Sequence, residues 1–248
     1  MKILKKIIKK LINLSGYEIV KSHPFWFDIN KDFNQIYEKC RKYTMTGKIK
    51  MFSLYSAIKF IVQNGIPGSF VECGVWKGGS AMVMALTLKN LGITDREIWL
   101  YDTFEGAPEP TEKDITILKK ESAIKIWKKV KNKQLKWMFA SLEEVRDNLL
   151  KTGYPFEKIK FIKGKVEETL PRDSPENIAL LRLDTDFYES TKCELLYLFP
   201  KLTKYGVLII DDYGFWEGAK KAVDEYFEEK NIKMLLIPIE SGVIGIKI

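Results

Sequence analysis

The stretch Phe70-Val71-Glu72-Cys73-Gly74-Val75-Trp76-Lys77-Gly78-Gly79-Ser80 constrains this chain more than any other. An apolar run ends in an acidic residue, a glycine-rich turn follows, and an apolar segment then runs from Ala81 to Leu91. That order reads as strand, tight turn and helix, the opening unit of a nucleotide-binding α/β sheet. Glycines let the backbone turn sharply and leave room for a ligand. The unsatisfied N–H groups of the next helix point at the same spot. A phosphate-binding P-loop needs Lys-Ser or Lys-Thr after its last glycine, whereas Gly79 precedes Ser80 directly and Lys77 is misplaced. A dinucleotide site needs G-x-G-x-x-G, and this turn is G-x-x-x-G-G. A looser glycine turn after an acidic residue suits S-adenosylmethionine, because a carboxylate such as Glu72 attracts the cationic amino-acid end of that molecule. The alternative is a purely structural strand-to-helix turn.

At 248 residues the chain accommodates one large α/β domain with extensions. Cys40, Cys73 and Cys193 show no metal-like spacing and no obvious pairing, which suits a reducing, cytoplasmic compartment. A lone histidine, His23, excludes mechanisms that need several imidazoles. The formal charge is +8, but Lys2, Lys5, Lys6, Lys9 and Lys10 supply five of those charges. The remainder is only mildly basic, so nucleic-acid binding does not follow.

Residues 2–14 place Ile3, Leu4, Ile7, Ile8, Leu11 and Ile12 at helical spacing between lysines. Such a helix fits peripheral contact with the inner membrane face, packing on its own domain, or packing on a second subunit of a homo-oligomer. It is too short and too charged to span a bilayer. Residues 15–35 are aromatic and irregular, and helices are expected over 36–43 and 49–63. Glu97–Tyr101 reads as a second strand ending in Asp102, where a carboxylate can accept both ribose hydroxyls of an adenosine. Residues 103–140 form a long lysine-bearing connection, which suits either a solvated helix or a lid. Ser141-Leu142-Glu143-Glu144 is a capping box opening a helix to Leu150. Further strands are expected at 158–162, 177–183 and 205–210, a helix at 216–229, and an antiparallel edge pair from Met234–Ile237 and Val243–Ile248.

Ligands of open α/β sheets bind beyond the carboxyl ends of the strands. Those ends carry Glu72, Asp102, Asp184, Asp186, Asp211 and Asp212. Neighbouring carboxylates repel one another unless protons or a cation compensate. A hard divalent ion, Mg²⁺ above all, is the simplest compensation for Asp184, Asp186, Asp211 and Asp212.

The stretches Tyr43–Thr46, Phe70–Ser80, Tyr101–Gly106, Leu181–Thr191 and Ile209–Gly214 resemble the macrocin O-methyltransferase family, over roughly residues 40–230. The resemblance implies a class I methyltransferase, a Rossmann-like, mostly parallel seven-stranded sheet with helices on both faces. It would carry an N-terminal helical extension (1–48) before the methyltransferase domain (49–248), with 105–140 as a substrate lid. It implies S-adenosylmethionine and Mg²⁺ as cofactors and the hydroxyl of a sugar, on a glycan, glycolipid or glycosylated natural product, as acceptor. Asp184, Asp211 and Asp212 would be metal ligands and Asp186 the general base. Glu72, Gly74, Ser80 and Asp102 would line the cofactor pocket, with Thr44, Phe104 and Ser141 beside them. Thr185 stands where family members usually have glycine, a difference that bears on the acceptor. Two other functions fit the same features: a catechol-type O-methyltransferase, and a non-catalytic membrane-surface protein on a methyltransferase fold.

Overall fold

The computed structural model describes residues 30–133 and 136–248. The amphipathic segment 1–14 and most of the aromatic stretch after it lie outside the described residues. The chain divides into two units, Met1–Asn34 and Gln35–Ile248, and the sheet belongs entirely to the second.

Seven strands form that sheet: β1 (Ser69–Cys73), β2 (Ile98–Asp102), β3 (Ile159–Lys163), β4 (Ile178–Leu183), β5 (Leu202–Ile210), β6 (Ile237–Ile239) and β7 (Gly242–Ile246). Their order is β3-β2-β1-β4-β5-β7-β6. The first five are parallel, and β7 runs antiparallel to both of its neighbours. Every residue of β4 is buried, as a strand covered on both faces requires. The strand order reverses at β1, so the crevice for a ligand opens where the ends of β1 and β4 diverge. This is the methyltransferase sheet the resemblance implies.

In chain order the helices are α1 (Lys31–Cys40), α2 (Lys48–Gln63), α3 (Gly79–Asn90), α4 (Ala123–Asn132), α5 (Leu142–Leu150), α6 (Val166–Thr169), α7 (Tyr188–Leu198) and α8 (Glu217–Glu229). Helix α1 begins five residues before the apolar periodicity, because the Asn30 side chain accepts the N–H of Phe33 at 2.9 Å and caps its first turn. Helices α2 and α3 pack together, as do α7 and α8. The core joins the α8 side chains Val223 and Tyr226 to Val71, Leu181, Leu208 and Ile210 of the sheet. Edge strand β6 starts at Ile237, later than expected. Met234 and Leu236 turn into the core instead, and the Glu240-Ser241 turn then fixes the register of Ile239 opposite Gly242.

The long connection after β2 is partly ordered by pairing with the rest of the domain. Isolated bridges join Ile115 to Ser122 and Thr116 to Trp216. Asp114 is fully buried; its carboxylate accepts the Thr111 N–H at 2.7 Å and the Tyr188 N–H at 2.8 Å. These bonds tie the connection to the start of α7.

Candidate active site

A cavity of about 640 Å³ opens at the carboxyl ends of the parallel strands. Its walls include Thr44, Gly74, Ser80 and Asp102 on the glycine-turn side and Asp184, Asp186, Asp211 and Asp212 on the other. Gly74, with φ of 83°, is where the two sides touch: a Cβ there would lie 2.1 Å from the Asp184 carbonyl oxygen. Gly74→Ala is therefore expected to cost about 3 kcal/mol or more of stability, as a strained backbone and a clash combine. Thermal unfolding of the variant checks this.

Strand register builds the acidic wall. Glu72 lies opposite Arg182, and Arg182 opposite Ile209. Two residues further on, Asp184 and Asp211 project on the same face as that row. Arg182 is buried between them. Its Nη1 donates to Glu72 Oε1 at 2.6 Å and to Asp184 Oδ2 at 2.8 Å, while Nη2 donates to Asp211 Oδ2 and to Thr46 Oγ1. Lys50 of α2 donates to Asp211 Oδ1, the Asp211 carbonyl and Ser241 Oγ. Glu72, Asp184 and Asp211 are thus bonded to two fixed cations, while Asp186 and Asp212 beside them have no cation bonded to them among the described residues.

Each carboxyl responds to that crowding. Burial pushes Asp184 well above the ordinary range; Arg182 opposes the shift and Asp211 and Asp212 add to it. Burial works the same way on Asp211, but Arg182 and Lys50 outweigh it and hold that carboxyl below its usual value. Asp212 is pushed well up by burial and by Asp186. Asp186 is pushed up to about 7 by burial and the neighbouring Asp184, against a hydrogen bond from Trp216. The Trp216 Nε1–H reaches Asp186 Oδ1 at 3.1 Å. Asp186 also sits at φ 70°, a left-handed conformation that Asp tolerates better than most residues.

The sequence profile of the family Macrocin-O-methyltransferase (TylF) matches residues 4–244. The chain belongs to that family. This methyltransferase is 32% identical over 198 residues to a demethyldecarbamoylnovobiocin O-methyltransferase of Streptomyces niveus, covering 80% of this chain and 72% of the relative. It is 34% identical over 184 residues to an 8-demethyl-8-(2,3-dimethoxy-alpha-L-rhamnosyl)-tetracenomycin-C 4'-O-methyltransferase of Streptomyces olivaceus, covering 74% and 67%. Among solved structures, the O-methyltransferase NovP superposes with a TM-score of 0.71 at 33% identity, covering 83% of this chain and 82% of that one. The protein is an O-methyltransferase, and its methyl donor is S-adenosylmethionine. Family membership sets aside the non-catalytic reading.

Several residues of this methyltransferase stand elsewhere than the sequence reading expects. Glu72 is fully buried and does not line the cavity; its Oε1 accepts from Arg182 and Ser80. Asp102 lines the cavity, yet its carboxylate also clamps the glycine turn, accepting the N–H groups of Val75 at 2.7 Å and Trp76 at 3.1 Å. Phe104 is buried and donates its backbone N–H to Asp102 Oδ1 at 2.7 Å; it is not on the cavity wall. Ser141 is not on the wall either, because its Oγ caps α5 by accepting the Glu144 N–H at 3.1 Å. Thr185 does line the cavity, and its Oγ1 donates to the buried Glu194 at 2.8 Å, which fixes the side chain against α7.

Sequence reasoning passed over two residues, Arg182 and Lys50. Arg182 did carry a signal, as the one charged residue in the apolar run Ile178–Leu183. Lys50 carried none; its partner Asp211 is 161 positions away.

Proposed function

We propose that this enzyme transfers a methyl group to a sugar hydroxyl, on a glycan, glycolipid or glycosylated natural product, with a divalent cation held by Asp184, Asp211 and Asp212. The observation that carries the reading is that these three carboxylates lie on one wall of the cavity that the glycine turn forms on the other. They offer ligand oxygens within 4.8 Å of one another. An all-oxygen donor set with uncompensated negative charge fits a hard ion such as Mg²⁺. The relatives support a sugar acceptor over a catechol, since one of them is named for methylating a rhamnosyl group.

Thr44, Gly74, Ser80 and Asp102 would hold S-adenosylmethionine. Gly74 keeps the turn open, and Asp102, whose carboxylate already accepts the N–H groups of Val75, Trp76 and Phe104, has one acceptor site on Oδ1 left for a hydroxyl donor. When bound, the sulfonium supplies an activated methyl carbon whose bond to sulfur breaks as the new bond to oxygen forms, and the cation supplies charge stabilisation to the acceptor. The protein's own contribution is the proton. Burial raises the Asp186 carboxyl above the ordinary range, which makes it a stronger base than an exposed aspartate. Asp186 takes the hydroxyl proton, and the Trp216 N–H fixes the direction of its Oδ1. The departing thioether is neutral and needs no acid, so a chain with a single histidine suffices.

The test uses S-adenosylmethionine carrying a labelled methyl group, with a panel of glycosides, sugar nucleotides, glycan extracts and catechols as acceptors. Label is expected in a sugar-bearing acceptor, to vanish with EDTA and to return with Mg²⁺. EDTA-insensitive transfer removes the metal assignment, and uptake by catechols alone removes the acceptor assignment. Thermal stabilisation by S-adenosylhomocysteine, and none by NAD, checks the cofactor site separately.

A further inference from the structure

Much of the positive charge of this protein lies in the connection whose flanks line the cavity. Residues 113–133 carry eight lysines against Asp114 and Glu121, a net +6. With the +5 of residues 2–10, these two segments leave the rest of the chain at −3. Asp114 neutralises no lysine, since its oxygens are committed to Thr111 and Tyr188. Lys113 pairs with Glu189 and Lys120 with Glu217. Among the described residues, Lys119, Lys125, Lys128, Lys129 and Lys133 have no carboxylate within 4.0 Å.

Helix α4 cannot turn these lysines inward. Ala123 and Ile126 pack against Phe187, Trp216 and Ala219. Lys125, Lys128 and Lys129, at i, i+3 and i+4, therefore share the opposite face, and all three are exposed. Just before the helix, the turn between the bridged residues Ile115 and Ser122 displays Leu118 at 91% exposure beside Lys119 and Lys120. Gly106, Ala107 and Pro108 on one flank of the segment, and Met138 on the other, line the cavity.

We infer that the Lys125–Lys128–Lys129 face of α4 and the Leu118 turn form a docking surface for an anionic lipid bilayer. The lysines meet the negative headgroups, and Leu118 enters the apolar layer beneath them. Leu118 selects this partner over a soluble polyanion. A nucleic acid or acidic peptide offers charge to the lysines but no apolar layer to an isolated leucine at the tip of a turn. Docking by this face brings to the bilayer the connection whose two flanks line the cavity, where a membrane-borne acceptor presents its sugar. The surface is independent of the metal and of Asp186, so it stands or falls apart from the proposed chemistry.

The experiment is co-sedimentation of the full chain with vesicles of phosphatidylcholine alone or with added phosphatidylglycerol, at about 0.1 M ionic strength. Binding is expected only with the anionic lipid. The triple variant Lys125→Glu, Lys128→Glu, Lys129→Glu is expected to bind on the order of a hundredfold more weakly. Leu118→Ser, which leaves every charge in place, is expected to lose about tenfold. Unchanged melting temperatures and unchanged S-adenosylhomocysteine binding show that both variants fold. Triple-variant binding equal to the parent overturns the inference. So does parental vesicle binding by Leu118→Ser together with equal capture on heparin, which makes the surface a reader of soluble polyanions.

Discussion

Asp186→Asn is expected to lower turnover by roughly 10²–10⁴-fold, the contribution of a positioned general base, while S-adenosylhomocysteine affinity stays unchanged. The asparagine has nearly the same shape and can still accept the Trp216 N–H on its oxygen, so packing around the residue survives. What it lacks is the ability to take a proton at neutral pH. The measurement is labelled-methyl transfer to the best acceptor from the panel, beside calorimetric titration of S-adenosylhomocysteine and Mg²⁺. Near-normal turnover sinks the base assignment. Loss of cofactor or cation binding shows instead that Asp186 holds the site together.

Arg182→Met is expected to destabilise the fold by about 3–5 kcal/mol, the usual cost of removing one partner from a buried ion cluster. Glu72, Asp184 and Asp211 would then lack the cation bonded to each of them. For a domain of this size that corresponds to a fall in melting temperature on the order of 10 °C. Arg182→Lys is expected to fall between the two. One ammonium cannot match a guanidinium whose two ends serve Glu72 and Asp184 on one side and Asp211 and Thr46 on the other. Mg²⁺ should restore more stability to Arg182→Met than to the parent, because a bound cation replaces part of the missing charge. Equal Mg²⁺ effects on both proteins would count against a metal at Asp184 and Asp211.

The parallel strands were legible because most are short apolar runs ending in glycine or acid, while β3 carries Lys160 and Lys163 among its apolar residues before Gly164. The acidic cluster was legible for the same reason: the ends of neighbouring parallel strands must lie together. Boundaries shifted where a local bond outweighed periodicity, as at the Asn30 cap of α1 and the Glu240-Ser241 turn before β7. Ser141 shows the limit of reading a residue by its motif. The capping box was correctly placed, but a hydroxyl spent on the Glu144 N–H faces its own helix, not the cavity.

By itself, the sequence determined the parallel sheet, the glycine turn and the row of carboxylates at its edge, since these follow from local alternation of apolar, small and acidic residues. The tertiary structure alone decided how those charges are balanced. Strand register set Arg182 between Glu72 on one neighbouring strand and Asp211 at the end of the other, and helix packing brought Lys50 to Asp211. Neither pairing is written in any local pattern, because electrostatic compensation depends on distances in space between residues far apart along the chain.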